Sequence, residues 1–184
     1  MLFFRLAAGL VLWTLSQTAI LACEQRPPTP PAWLGPHDFS IEQSATKLWR
    51  PEDGGEPLFL RLRVVDTCGE PVPGVEVRIL HANQFGEHEA GRWRTRLNSD
   101  ARGELKLLTV FPGYAGGLPR HIHFILAHPD FDELITRLFF KNDPEAGADV
   151  GELALVLEEI ERPIEGGKTG RGWVAGFEFV LKGR

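Results

Sequence analysis

Pro112-Gly113-Tyr114-Ala115-Gly116-Gly117-Leu118-Pro119-Arg120-His121-Ile122-His123-Phe124 decides how this chain is read. The stretch holds the only tyrosine of the chain and two of its six histidines. Side chains two apart on a strand project from one face. A strand over 120–126 therefore presents His121 and His123 together and sends Ile122 and Phe124 towards a core. Two adjacent imidazoles form half of a metal site. A tyrosine delivered from the preceding turn adds an anionic oxygen to the same ion.

The flanking sequence repeats this two-residue period. In 58–65, Leu60, Leu62 and Val64 alternate with Arg61 and Arg63; Val75, Val77 and Ile79 alternate with Glu76 and Arg78. Further β-rich runs cover 105–110, 134–140, 153–157 and 174–181. Turn signals separate them: Asp66-Thr67-Cys68-Gly69, Pro71-Val72-Pro73-Gly74, Asp100-Ala101-Arg102-Gly103 and Phe111-Pro112-Gly113. Residues 131–138 admit a short helix, but β-branched Ile135 and Thr136 favour a strand. The expected fold is all-β, an antiparallel β-sandwich of about seven to eight short strands.

Residues 1–22 carry one base, Arg5, and no acid. An apolar run over 6–13, a polar break at 16–18 and Ala19-Ile20-Leu21-Ala22-Cys23 read as an export signal. A spanning helix needs about 20 apolar residues, which the break interrupts. Ile20-Leu21-Ala22-Cys23 resembles a bacterial lipoprotein processing site. Cys23 is thus either lipidated or, after ordinary cleavage, free or paired with Cys68. The expected location is outside the cytoplasm: periplasmic, secreted or lipid-anchored. Two cysteines exclude a disulfide-rich scaffold and a four-cysteine zinc site. The formal net charge of −5 becomes −6 when Arg5 is lost with the signal. That disfavours nucleic acid and leaves a lipid anchor as the one membrane link. Five prolines in 25–36 read as a tether. The expected division is 1–22 export signal, 23–55 Pro-rich tether and extension, and 56–184 sandwich domain.

The order of motifs resembles the intradiol ring-cleavage dioxygenases, the group of the protocatechuate and catechol dioxygenases. The run is Gly69-Glu70-Pro71-Val72-Pro73-Gly74, a strand into His81-Ala82-Asn83-Gln84-Phe85-Gly86, Ser99-Asp100-Ala101-Arg102-Gly103, Pro112-Gly113-Tyr114, His121-Ile122-His123-Phe124 and Ile135-Thr136-Arg137-Leu138-Phe139-Phe140. The resemblance implies a prealbumin-like sandwich and a mononuclear ferric ion held by two tyrosinates and two histidines. It implies a catechol-type diol and O2 as reactants and a ring-opened diacid as product. Carried over by position, Tyr114, His121 and His123 are metal ligands; Tyr114 or a metal hydroxide is the expected catalytic base. No second tyrosine exists; His88 is the expected fourth ligand, and another alignment puts Gly91-Arg92-Trp93 there, where indole cannot ligate. One phenolate with several imidazoles holds ferric iron less strongly, so copper or zinc are alternatives to Fe(III).

The family's arginine, three residues before the first histidine, is Leu118 here. Arg120, adjacent to His121, is the remaining candidate for stabilising developing charge, and on a regular strand it points to the other face. His81 either lines the site or packs beneath it. His37 and His128 read as a solvated and a turn residue. Glu158-Glu159-Ile160-Glu161 reads as a solvated face and 166–170 as a flexible loop. The principal expectation is an exported intradiol-type dioxygenase. The alternative is a non-catalytic β-sandwich that binds a metal or ligand without opening a ring. A cupin-type site requires a glutamate where Ala127 and His128 stand.

Overall fold

The computed structural model describes residues 23–32, 40, 41, 43–141, 143–145, 148–164 and 168–184. Residues 1–22, read above as an export signal, and His37 lie outside the described residues.

Nine strands follow in order: β1 (Pro57–Asp66), β2 (Glu76–Leu80), β3 (Arg94–Asn98), β4 (Glu104–Val110), β5 (His121–Ala127), β6 (Leu134–Phe140), β7 (Ala154–Leu155), β8 (Leu157–Ile164) and β9 (Lys168–Leu181). They form a four-stranded sheet, β4-β1-β9-β8, and a five-stranded sheet, β3-β2-β5-β6-β7. The all-β sandwich is as expected, but the sheets are mixed. β1 runs parallel to β9, and β6 parallel to β7. Period-2 patterning shows which face is buried but not which neighbour a strand takes.

The core lies between the sheets. From β1 it takes Leu58, Leu60, Leu62 and Val64, and from β5 Ile122, Phe124 and Leu126, all at most 2% exposed. Each such side chain stabilises the fold by about 1.5–3 kcal/mol. Phe124 packs on Phe179 of β9 with ring centroids 5.2 Å apart, joining the layers.

Two departures from the sequence reading concern elements. β3 was not expected, because Thr95 and Leu97 are its only buried residues. β9 begins at Lys168, so of the 166–170 segment read as a flexible loop the described residues 168–170 are strand. The glutamates read as a solvated face do face water, on edge strand β8.

The N-terminal stretch is not a free tether. Cys23 is bonded to Cys68. Arg26 N–H donates to Thr67 O, Thr29 N–H to Val180 O and Ala32 N–H to Ile135 O. The strap therefore touches a strand of each sheet and covers the edge of β6 beside Ile135. Its prolines suit that role, since an edge strand can spare the missing donors. A Cys23 sulfur held in a disulfide has no valence left for the lipid thioether considered above. Further on, Leu48 and Trp49 are 8% and 9% exposed and belong to the core cluster, so packing begins before Glu56.

One turn device recurs and positions the site. Asp66 Oδ1 accepts from the N–H groups of Cys68 and Glu70. Asp100 Oδ1 accepts likewise from Arg102 and Glu104, and Asn83 Oδ1 from Phe85 and Glu87, both at 2.9 Å. Each side chain closes a loop two and four residues on, which a short amide or carboxylate does well. The Asn83 loop is the one that meets Tyr114.

Candidate metal and catalytic site

His121 and His123 lie on the face of β5 turned away from the core, yet they are only 5% and 1% exposed. The connections β2–β3 and β4–β5 lie against that face. Pro119 O in the β4–β5 connection is 2.6 Å from His121 Nδ1. A carbonyl can only accept, so Nδ1 carries the proton and Nε2 presents its lone pair. That Nε2 is 3.1 Å from His123 Nε2, and the rings meet edge to face with centroids 4.6 Å apart.

This spacing is a fit test for a metal. Two imidazole nitrogens bound at about 2.0–2.1 Å to one ion, at adjacent corners of a tetrahedron or octahedron, lie about 2.9–3.4 Å apart. The pair therefore has the bite of two neighbouring ligands of a single cation.

Tyr114 is placed by a tight crossing of two loops. Gly113 N–H donates to Asn83 O at 2.8 Å. Gly86 has φ +87°, and a Cβ there would lie 1.7 Å from Tyr114 O; one on Gly113 would lie 2.5 Å from Gly86 N. Neither position accepts a side chain. The phenol of Tyr114 donates to Asp143 Oδ1 at 2.8 Å, and Arg120 Nη1 donates to the phenol oxygen at 2.9 Å. The guanidinium also stacks on the Tyr114 ring at 4.0 Å. Arg120 thus reaches Tyr114, against the expectation for a regular strand. It precedes β5, and its backbone N–H is turned onto Asp143 Oδ2 at 2.9 Å.

Asp143 was not foreseen. Its side chain is 1% exposed, and it accepts from Tyr114, Arg120 N–H and Glu145 N–H. In the sequence it is an ordinary Asp-Pro turn signal, and nothing local marks it as the acceptor for a tyrosine 29 positions earlier. The hydrogen bond to Asp143 holds the Tyr114 phenol above its usual pKa, with burial adding and the Arg120 charge opposing.

His88 and His81 stand differently. His88 is exposed, with its ring centroid 6.4 Å from that of His123. Among the described residues no three His, Cys, Asp or Glu side chains are arranged to hold a cation. His88 is therefore not a preformed third imidazole: the Asn83 loop closes before it and leaves it at the surface. His81 is 1% exposed, with Nδ1 2.7 Å from Ala82 O and Nε2 2.7 Å from Thr109 Oγ1. It packs beneath the site, and neither nitrogen is left to line it. Burial pushes its pKa down to about 4, helped by the nearby His88 and His121 and opposed by the Ala82 carbonyl. Trp93, the alternative at the fourth position, is 2% exposed and donates its indole N–H to Glu89. His128 lies in the β5–β6 turn, as expected. Two surface hollows lie elsewhere, one along β1 and β4 and one around Gly74, Glu133 and Arg184. The candidate site is instead an open corner with Tyr114 38% and Leu118 42% exposed.

The chain is thus a two-layer β-sandwich with a histidine pair on β5 and its tyrosine in the β4–β5 connection. No family model matches the chain. It is 32% identical to the protocatechuate 3,4-dioxygenase beta chain of Burkholderia cepacia, covering 82% of the chain and 74% of that relative. It is 32% identical to an intradiol ring-cleavage dioxygenase of Aspergillus niger and 29% to a catechol 1,2-dioxygenase of Acinetobacter lwoffii, but spans only 37% and 42% of them. The dioxygenase domain of a dioxygenase–carbohydrate-binding fusion from Streptomyces sp. SirexAA-E superposes with TM-score 0.71 at 27% identity, covering 85% of this chain and 99% of that one. The 3-chlorocatechol 1,2-dioxygenase of Rhodococcus opacus 1CP shares the fold with TM-score 0.76 at 23% identity, covering 85% and 74%.

The chain belongs to the intradiol ring-cleavage dioxygenases, a family of oxidoreductases.

Proposed function

We propose that this chain is an exported intradiol-type dioxygenase that opens a catechol-type aromatic diol with O2 on a non-haem ferric ion. His121, His123 and Tyr114 would hold the ion. The observation that carries this reading is the 3.1 Å approach of the two Nε2 atoms, in a chain with this relatedness. When bound, ferric iron supplies Lewis acidity to the diol oxygens and the redox partner that O2 requires.

The remaining chemistry belongs to the chain. The Pro119 carbonyl fixes the His121 tautomer, so the imidazole presents a lone pair without reorganising. Tyr114 exchanges a proton at its phenol oxygen, and Arg120, 2.9 Å away, offsets negative charge that arises there. A single tyrosine supplies one phenolate charge where the family's ligand set has two. The site should therefore release ferric iron more readily, and copper or zinc compete for it. His88 enters the ligand set only by turning inward from its exposed position.

Export is part of the proposal. It is supported by the signal-like residues 1–22 and by the pairing of Cys23 with Cys68, a bond that persists in oxidising compartments. Fractionation of the expressing cell tests that part. The chemistry is tested by loading the protein with ferric iron, titrating catechol against its visible spectrum and identifying the product. A ring-opened diacid formed with O2 uptake supports the reading; bound catechol without turnover removes the activity and leaves only a binding protein.

A further inference from the structure

The strand beside the histidine pair carries a cation that the reading above does not use. β6 alternates: Leu134, Thr136, Leu138 and Phe140 are at most 7% exposed. Ile135, Arg137 and Phe139 take the other face, the one that holds the histidines. In register, Arg137 is the Cα partner of His123, and Phe139 that of His121. Directly opposed residues of an antiparallel pair place their Cβ atoms about 4.5–5.5 Å apart. The four side chains thus form one patch. The Phe139 ring lies 6.0 Å from the His121 ring, and the Arg137 guanidinium carbon lies 5.6 Å from the Phe139 centroid.

Arg137 is half-buried, and among the described residues no carboxylate lies within ion-pair distance of it. Desolvation lowers its pKa below the usual guanidinium range. A partly desolvated cation without an acidic partner is costly and marks a position where an anion is expected. Three other arginines illustrate the contrast. Arg120 is committed to Tyr114 and Asp143, Arg92 pairs with Asp53, and Arg78 pairs with Glu76. Leu118 occupies the place where the resembling family carries its charge-stabilising arginine.

We propose that Arg137 is a further catalytic residue, whose guanidinium contacts an anionic oxygen of the bound diol and offsets the negative charge that grows as the ring opens. It supplies from across the strand the cation that Leu118 cannot. This assignment rests on the diol reading of the site.

The test compares wild type, Arg137→Gln and Arg137→Lys, all iron-loaded, with the urea midpoint as a check of folding. Without O2, 4-nitrocatechol is titrated and its colour change gives a dissociation constant. With O2, turnover of catechol is followed. Arg137→Gln should weaken 4-nitrocatechol binding about tenfold and lower kcat by about a hundredfold. Arg137→Lys should retain most of the binding and part of the rate. A folded Arg137→Gln protein that binds and turns over like wild type overturns the assignment. Wild type that binds 4-nitrocatechol but opens no ring removes the enzymatic reading alone, and the binding difference then decides whether Arg137 meets the diol. Wild type that binds no 4-nitrocatechol overturns both.

Discussion

The phenol of Tyr114 donates to Asp143 Oδ1 at 2.8 Å, so the one tyrosine of the chain is fastened to a buried carboxylate. A phenolate has no proton to donate. Tyr114 therefore cannot ligate a metal and keep this hydrogen bond unchanged. Arg120, 2.9 Å from the phenol oxygen and 3.9 Å from Asp143 Oδ1, is placed to hold two anionic oxygens together once the proton has gone.

Replacing Asp143 by Asn should lower the ionisation midpoint of Tyr114, because the carboxylate is the main cause of its upward shift. With a single tyrosine, absorbance near the phenolate band reads Tyr114 alone. The loss of charge-assisted bonds should cost about 1–3 kcal/mol in urea unfolding. An unchanged Tyr114 titration would mean that the hydrogen bond is absent in solution.

Gly86 and Gly91 make a controlled pair. Both have positive φ, +87° and +75°, but a Cβ on Gly86 meets Tyr114 O at 1.7 Å while one on Gly91 meets nothing within 4 Å. Gly91→Ala should cost about 1 kcal/mol from backbone strain alone. Gly86→Ala should cost more than about 2 kcal/mol and lower metal retention, since it displaces the Tyr114 segment. Equal losses would dispose of the claim that the Asn83 loop positions Tyr114.

His81 contributes a pH dependence of known sign. Its folded pKa is about 4, below the ordinary 6.5, so the unfolded chain binds a proton that the folded chain refuses. Stability from this residue is intact above pH 6.5 and is lost as pH falls towards 4, by about 3 kcal/mol at most. Unfolding free energies measured between pH 7 and 4.5 should fall less steeply in His81→Gln than in wild type. Parallel slopes would show that His81 charges freely in the folded state.

The strap makes the fold sensitive to reductant. The Cys23–Cys68 bond closes a loop with a sequence separation of 45. Its reduction should lower stability by about 2–4 kcal/mol and expose the 26–32 segment to protease. Identical melting with and without reductant would indicate that the N-terminal hydrogen bonds suffice alone.

The sequence made the sandwich legible because its inward faces are written in plain alternation, as in Leu58 to Val64 and Val75 to Ile79. The His121–His123 pairing was legible for the same reason, and Tyr114 through its Pro-Gly turn. Mixed strand order was not, because nothing in β1 names β9 as its parallel neighbour. Arg120 was misdirected by assuming a regular strand up to a residue that a turn controls. Asp143 and Arg137 act across tertiary contacts, one over a loop crossing and one over a strand register, which local pattern does not encode. The strap escaped because a proline-rich stretch reads alike whether it is free or laid along a sheet edge.

The most direct measurement is O2 uptake with product identification on iron-loaded wild type, His121→Ala and His123→Ala. Wild type should consume one O2 for each catechol converted to a muconate-type diacid, and both variants, folded, should lose ferric iron and turnover together. Stoichiometric ferric iron in wild type without a ring-opened product, or undiminished turnover after loss of either histidine, would contradict the account.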